Sequence, residues 1–203
     1  MSSTLERAFL TRWEQITRDL DPQPKPPVAQ CYFHLEREWR FDFGWIDSLL
    51  LVDLQGGGWV RGAHNRELGM VNDFHKHNAA LTMGWKPFLA TTSMIEDDPE
   101  SFINLLLDTM KQPLYVHNAE LSMWTARIKN LNSIGAEIDH NGIYVRRERK
   151  NCFSMILSGK EYRTEPEKYL IDGQKKVLSL ILSGGVSTPA DVKRSINVQT
   201  VMF

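Results

Sequence analysis

The N-terminal residues alternate between polar and apolar positions with the spacing of a helix. Residues 3–20 place five apolar side chains on one helical stripe: Leu5, Phe9, Trp13, Ile16 and Leu20. Ser3 and Glu6 have the spacing of a capping box at the start of that helix. The proline-rich stretch 21–27 cannot be helical and predicts a stiff, extended connector.

Residues 36–90 follow the pattern strand, strand, helix, strand. In residues 39–45 every odd position is aromatic and no even position is, which predicts a strand with one apolar face. Residues 49–55 form a nearly continuous apolar run that ends at three glycines, as expected for a strand covered on both faces. Residues 68–83 predict a helix that stops at Gly84, and residues 85–92 predict the third strand.

The pattern changes after the acidic stretch 93–98, which we interpret as a hinge. Helices are predicted from Pro99 to Lys111 and over residues 119–131, and Asn141-Gly142 predicts a hairpin turn. The order helix, helix, hairpin is typical of a winged helix-turn-helix, with the second helix as the recognition helix. The sequence leaves open that this half of the chain is a helical packing module that does not contact DNA.

After residue 150 the helical pattern partly recurs, over residues 174–183 and 189–195, as in a second and incomplete copy. We therefore predict an α/β (α+β) chain with a small mixed sheet flanked by helices and a mainly helical, winged-helix-like second domain. The predicted divisions are a core in residues 1–95, a winged-helix-like region in residues 99–150 and a helix-turn-helix-like tail in residues 151–203.

Composition narrows the classes of function. The 203 residues carry 24 Lys and Arg against 25 Asp and Glu, which excludes a uniformly basic nucleic-acid binder and leaves only a local basic patch. Two cysteines exclude a disulfide framework and a four-cysteine zinc site. No apolar window approaches the roughly 18 residues of a membrane span, and the N-terminus does not read as a signal peptide. We expect a protein of the cytoplasm with no membrane partner.

Two acidic residues lie inside predicted apolar strands, where a buried charge is energetically unfavourable. Asp42 is inside the aromatic strand and Asp53 is inside the apolar run, and a buried charge costs several kcal/mol unless it is paired or bound to a metal. Strand geometry places Asp53 and Gln55 on one face, and Asp42 joins them if the two strands are neighbours. An oxygen-rich cluster of this kind suits Mg²⁺ or Mn²⁺.

Basic side chains follow in the loop and the helix after the second strand. Lys76 shares a helix face with Asp73 and His77, and a lysine there stabilises negative charge on a phosphate or orients a metal-bound water. His64 is a candidate proton carrier or phosphate contact. The sequence leaves open that Lys76 is a solvated charge and that His64 is an ordinary loop histidine.

The aromatic strand, the apolar strand with Asp53 and the helix with Lys76 follow one another in an order and spacing that resemble the PD-(D/E)XK nuclease superfamily. The matching parts are Trp39-Arg-Phe-Asp-Phe-x-Trp45, Val52-Asp-x-Gln-Gly-Gly57, Trp59, Gly62-x-His64, Asp73, Lys76-x-Asn78 and Gly84-Trp85. They are similar to the branch that holds very-short-patch-repair-like and phage-borne homing-type endonucleases.

The resemblance implies a sheet of the restriction-endonuclease-like type and a double-stranded DNA substrate. It implies that Asp42 and Asp53 bind the divalent metal, that Lys76 is a catalytic basic residue relocated to the helix, and that His64 is the histidine of the mobile loop. The second position of the strand motif is usually acidic or lysine in this family. Gln55 stands there in this chain, and a neutral amide oxygen binds a metal more weakly.

Three hypotheses follow. The first is a Mg²⁺- or Mn²⁺-dependent DNA endonuclease with Asp42, Asp53, Gln55, Lys76 and His64 in its site. The second, motivated by Gln55, is a DNA-binding protein on the same fold that cleaves weakly or not at all. The third is a protein-interaction factor that uses its aromatic surface. The sequence leaves open whether the protein forms a homodimer. The candidate DNA contacts are Arg61, Arg66, Arg127, Lys129, Arg146 and Arg147.

Overall fold

The computed structural model describes residues 3–56, 63–114 and 119–183, with the side chains of residues 63–69 and 150 left out of the description. The chain divides into two compact units, Met1–Tyr32 with Trp39–Met123, and Phe33–Glu38 with Trp124–Phe203. Each unit holds a four-stranded sheet and helices, so the α+β class is confirmed.

The first unit begins with the predicted amphipathic helix, α1, over Thr4–Thr17. Ser3 and Glu6 form the predicted capping box, in which each side chain accepts a hydrogen bond from the other residue's backbone N–H. Phe9 and Trp13 are buried on the apolar stripe. Leu20 lies beyond the helix and is exposed.

The sheet of the first unit is mixed. Its strand order is β1-β2-β3-β4, with β3 and β4 parallel and the other two pairs antiparallel. Helix α2 connects the two parallel strands, as the pattern strand, strand, helix, strand predicted. Strand β1 was not predicted, because its five residues follow the prolines and lack a clear alternation. The elements are β1 (Val28–Tyr32), β2 (Arg40–Trp45), β3 (Leu50–Gln55), α2 (Ala63–Thr82) and β4 (Lys86–Thr91).

Strand β3 is buried on both faces, which explains its nearly continuous apolar sequence. Leu50 and Val52 face a core that includes Phe9 of α1 and Phe43 of β2, whose rings stack with centroids 4.9 Å apart. The opposite face of β3 carries Asp53 and is covered by α2.

The acidic stretch 93–98 is not a hinge, which corrects the prediction from sequence. It contains most of a short helix, α3 (Thr92–Glu96), followed directly by α4 (Pro99–Lys111). The side chains of Thr91 and Asp98 accept hydrogen bonds from backbone N–H groups at the starts of these helices. Asp98, a polar residue of the predicted hinge, is therefore a helix cap.

Helix α4 has the predicted bounds but belongs to the first unit. Its Phe102, Ile103 and Leu106 are buried in the same core as Phe9. Leu105, in the same helix, is exposed.

The sheet of the second unit is an antiparallel meander in the order β5-β6-β7-β8. The predicted hairpin forms its first half, and Asn141 and Gly142 both have the positive φ that this turn requires. Ser158 and Gly159 repeat that geometry at a second hairpin, which was not predicted. The elements are α5 (Ala119–Lys129), β5 (Glu137–His140), β6 (Ile143–Arg147), β7 (Phe153–Leu157), β8 (Lys160–Arg163) and α6 (Leu170–Leu182).

The winged-helix region that we predicted over residues 99–150 is divided differently in the structure. Helix α4 packs in the first unit, the boundary between the units falls inside α5, and the hairpin continues into a four-stranded sheet. The helix-turn-helix-like segment predicted near the C-terminus lies mostly in residues 184–203, outside the described residues. In the described parts of the chain, no helix has both the length and the apolar character needed to cross a bilayer.

Gly44 in β2 provides a test of side-chain packing in the sheet of the first unit. A Cβ at this position would lie 2.6 Å from Cys31 Sγ and 3.0 Å from Leu51 Cδ2. We expect Gly44→Ala to lower the free energy of unfolding by about 1–3 kcal/mol, because close-packed side chains cannot move aside without strain. Urea unfolding measures the change. Gly56→Ala is the control, since a Cβ there meets nothing within 4 Å, and equal losses in the two variants would contradict the prediction.

Candidate active site

The central feature of the first unit is a buried ion pair between β3 and α2. Lys76 Nζ donates a hydrogen bond to Asp53 Oδ2 at 2.7 Å, and each residue is 8 % exposed. Helix α2 lays Lys76 against the sheet on the same face as the buried residues Ala79 and Ala80. The alternative that Lys76 is a solvated surface charge is therefore wrong.

The ammonium group of Lys76 has two further neighbours, both on β2. Its Nζ lies 3.4 Å from the carbonyl oxygen of Arg40 and 4.6 Å from the centroid of the Phe41 ring. A cation over an aromatic face is attracted by the negative charge density of the ring. Asp53, a backbone oxygen and a ring face thus surround one positive charge.

Asp42 lies at the point where the pairing between β2 and β3 ends. Its Oδ2 accepts a hydrogen bond from the backbone N–H of Leu54 at 2.7 Å, one residue beyond Asp53. Its Oδ1 accepts a longer hydrogen bond, 3.4 Å, from Nε2 of Gln30 on β1. The half-buried Asp42 carboxylate therefore accepts a hydrogen bond from the β3 backbone at a position beyond the last β2–β3 backbone pair.

Burial raises the pKa of Asp42 above its usual value, and the hydrogen bond from Leu54 opposes that shift. The negative charge of Asp53 raises the pKa further, while the positive charge of Lys76 lowers it. The two acidic residues of neighbouring strands therefore act on each other electrostatically. The ionised form of Asp42 is one that the folded protein disfavours.

This environment predicts the effect of Asp42→Asn on stability. Because the folded pKa lies above the unfolded value, the stabilising contribution of Asp42 is complete below about pH 4 and is lost as the pH rises through the folded pKa. Asparagine does not ionise and still offers an oxygen to the Leu54 N–H. We expect the variant to be at least as stable as the wild type at neutral pH and to lose that advantage in acid.

Urea unfolding of both proteins between acidic and neutral pH measures this difference. A variant that loses stability relative to the wild type as the pH rises would contradict the prediction, because it would mean that the folded protein favours the ionised carboxylate.

Gln55 is the last residue of β3 and is half-buried. Strand periodicity places it on the same face as Asp53, and its neighbour on β4 is Thr91. Its side-chain amide makes no hydrogen bond to another residue that the structure describes. The amide oxygen is therefore available to a ligand at the carboxyl end of β3.

Sequence reasoning missed several neighbours of this site. The carbonyl of Arg40, the ring of Phe41 and the amide of Gln30 come from strands that the linear spacing could not align with Lys76 or Asp42. The ring of His77 lies edge-on to Phe41 at 5.0 Å, and its buried Nε2 has no hydrogen-bond partner among the described residues. The exact partners of Lys76 and Asp42 depend on the crossover of α2 and the register of β1.

The structure removes two of the candidate DNA contacts. Arg127 packs over the ring of Trp124 and Lys129 donates a hydrogen bond to Glu38 at 2.6 Å, and both basic residues are more than nine-tenths buried. Pairing and packing within the second unit explain these positive charges without DNA. The predicted recognition-helix role is therefore withdrawn for both residues.

The remaining candidate DNA contacts differ in how far their side chains are exposed to solvent. Arg146 is exposed, with its Nε 4.0 Å from Glu148, whereas Arg147 is half-buried and donates a hydrogen bond to Asn151 at 3.3 Å. Burial lowers the pKa of Arg147. Arg61 lies outside the described residues, and the side chains of His64 and Arg66 lie outside the described side chains.

The donor atoms near Asp53 fit a hard divalent cation. Mg²⁺ prefers oxygen ligands and is usually held by one or two carboxylates together with water and substrate phosphate. Asp53 and Gln55 share one face of β3, and Asp42 lies on the neighbouring strand, so carboxylate and amide oxygens of this kind are present in this part of the sheet. In the described residues no group of three or more His, Cys, Asp or Glu side chains is placed to hold a metal. A divalent cation held by these oxygens would therefore need further ligands from water or a substrate.

Comparison of the chain with protein-family models, with curated proteins and with solved structures found no match. Any inference about function therefore rests on the motif resemblance and on the geometry of Asp42, Asp53, Gln55 and Lys76.

Proposed function

We propose that the protein is a Mg²⁺- or Mn²⁺-dependent endonuclease that hydrolyses phosphodiester bonds of double-stranded DNA. The observation that carries the proposal is the buried Asp53–Lys76 pair beside Asp42. Such a pair is weak evidence for a role in stability, because the cost of removing two charges from water offsets most of their attraction. The presence of both charges between β3 and α2 is better explained by chemistry that needs them.

The architecture supports the same proposal. The first unit is a mixed four-stranded sheet with α1 and α2 on opposite faces, and Asp42 and Asp53 are on neighbouring strands. We assign this sheet to the restriction-endonuclease-like type on the strength of the motif resemblance. The resemblance and the mixed sheet are independent reasons, since one comes from residue spacing and the other from strand order.

The chain's own residues have separate roles in hydrolysis. Asp42 and Asp53 would hold the cation, with the Gln55 amide oxygen as a weaker ligand. The bound cation supplies an activated water and offsets charge on the scissile phosphate. Lys76 donates a hydrogen bond to a phosphate oxygen as negative charge develops there. Water adds to phosphorus and releases a proton to solvent, and the bond to the leaving oxygen breaks. That oxygen takes up a proton, for which His64 is the proposed donor.

A second candidate is a DNA-binding protein without cleavage. It is favoured by the neutral amide of Gln55 and by the involvement of Asp53 in an ion pair, since both features weaken the hold on a cation. This candidate predicts salt-sensitive binding to DNA with no hydrolysis at any metal concentration.

A plasmid assay separates the candidates. Supercoiled DNA is incubated with the protein over a titration of Mg²⁺ or Mn²⁺, and a gel shift at low and raised salt measures binding in parallel. Nicking or linearisation that requires the metal supports the endonuclease. Binding without cleavage supports the second candidate. Absence of DNA affinity at low salt contradicts both and leaves an interaction with another protein.

A further inference from the structure

We propose that Lys76 competes with the divalent cation for Asp53, and that a DNA phosphate group relieves this competition by drawing Lys76 away. The proposal rests on the proposed function and adds a regulatory feature to its site. Metal and DNA would then bind cooperatively, and the protein alone would hold the metal weakly.

The first step is that the site already contains a cation. Lys76 Nζ lies 2.7 Å from Asp53 Oδ2 and 3.4 Å from the carbonyl oxygen of Arg40, and the Phe41 ring lies beneath it. The ammonium group therefore contacts one of the oxygen atoms that the metal would use. The side chain of each ion-pair partner is 11 % exposed, so water screens their attraction poorly.

The second step concerns the carboxylates. Both oxygens of Asp42 already accept hydrogen bonds, from Leu54 and from Gln30, so this residue is satisfied without a metal. A metal on the other oxygen of Asp53 would still lie close to the ammonium group, and two cations repel each other strongly in a partly buried site. Binding of the metal is therefore opposed for as long as Lys76 stays in place.

The third step is the release. A lysine has a compact charge on a flexible four-carbon chain, so it can turn from a carboxylate to a nearby phosphate without movement of its helix. A DNA phosphate at the carboxyl end of β3 offers that alternative anion. Lys76 then neutralises the phosphate while Asp53 becomes available to the metal. By thermodynamic linkage, the metal strengthens DNA binding by the same factor as DNA strengthens metal binding.

The competition is tested first with Mn²⁺ alone. Free Mn²⁺ is measured by electron paramagnetic resonance during titration of the wild type, Lys76→Met and the matched control Lys25→Met. Lys25 pairs with Asp47 at a similar distance, 2.9 Å, but on the surface. We expect Lys76→Met to bind Mn²⁺ about tenfold more tightly than the wild type, a common size for coupling between sites. Lys25→Met should leave the affinity unchanged.

The release is tested by repeating the titrations with a short DNA duplex, and Asp53→Asn with the same duplex gives the background from ions held by DNA. The Mn²⁺ affinity of the wild type should rise about tenfold with the duplex, whereas that of Lys76→Met should not. If Lys76→Met does not fold, the two titrations of the wild type still decide the matter, and an affinity that DNA leaves unchanged overturns the inference.

The outcomes separate this inference from the proposed function. If the wild type binds Mn²⁺ above the Asp53→Asn background and Lys76→Met binds it equally or more weakly, Lys76 does not compete with the metal. That result contradicts the inference but leaves the proposed metal site intact. Binding that does not exceed that background in the wild type or in Lys76→Met, with or without DNA, contradicts the metal site and the inference together.

Discussion

The substitution Asp53→Asn is expected to lower metal-dependent cleavage of supercoiled plasmid by roughly a thousandfold. Loss of a metal carboxylate ligand removes several kcal/mol of charge stabilisation from the transition state, and each 1.4 kcal/mol is about a factor of ten in rate. The side chain of asparagine has nearly the same shape and keeps an oxygen that accepts a hydrogen bond from Lys76. The substitution therefore removes the negative charge while it keeps the size and shape of the side chain.

The control for this experiment is Asp47→Asn. Asp47 also pairs with a lysine, Lys25, but this pair is exposed, and Asp47 lies in the turn before β3, at the opposite end of the strand from Gln55. We expect that variant to cleave at the rate of the wild type. Circular dichroism and thermal melting establish that both variants are folded before rates are compared. Cleavage by Asp53→Asn at the rate of the wild type would refute the assignment of the metal site.

The second large effect concerns the stability of the first unit. Asp53→Leu and Lys76→Met are each expected to lower the free energy of unfolding by about 3–5 kcal/mol, because each leaves an uncompensated buried charge. The double variant is expected to lie within about 1 kcal/mol of the wild type, because a buried ion pair replaced by apolar side chains is often neutral or stabilising. We therefore expect the change in the free energy of unfolding caused by each substitution to depend strongly on whether the other substitution is present.

Urea unfolding of the four proteins gives this coupling free energy directly. The surface pair Lys25–Asp47 provides the matched cycle, and its coupling should not exceed about 1 kcal/mol, as is usual for exposed ion pairs. If removal of Lys76 alone costs no more than removal of Lys25, the charge of Asp53 is better hydrated than the structure indicates. The interpretation of the pair would then be wrong.

Taken together, the two experiments separate stability from activity. The double variant should fold and melt like the wild type while it shows no cleavage. Such a result would mean that the ion pair is kept for its chemistry, at no net gain in stability. A double variant that is far less stable than the wild type would instead assign the pair a structural role.

Several elements were predictable from the sequence because they depend on neighbouring residues. The apolar stripe and capping box determine α1, Asp98 and Pro99 mark the start of α4, and Asn141-Gly142 determines the turn between β5 and β6. Strand β1 and helix α3 were missed, since each is only five residues long and too short for a period to show. The Ser158-Gly159 turn is a local signal for the β7–β8 hairpin that hydrophobic periodicity alone does not reveal.

The candidate site was predictable in part. Asp42 and Asp53 stand out because each interrupts an apolar strand pattern, and the cost of burying a charge makes such positions informative without a structure. The basic residues were harder to interpret. Arg127 and Lys129 look like surface residues of a recognition helix, but Lys129 pairs with Glu38, 91 residues away in the chain.

The sequence by itself determined several elements, among them α1, α4 and the β5–β6 hairpin, and which two acidic residues lie inside strands, because periodicity, capping signals and the cost of buried charge act within a few residues. Only the tertiary structure decided that Lys76 meets Asp53, that Asp42 binds the backbone of Leu54, and that α4 joins the first core. Those contacts depend on strand order and on the crossover of α2, which bring together residues that are far apart in the chain.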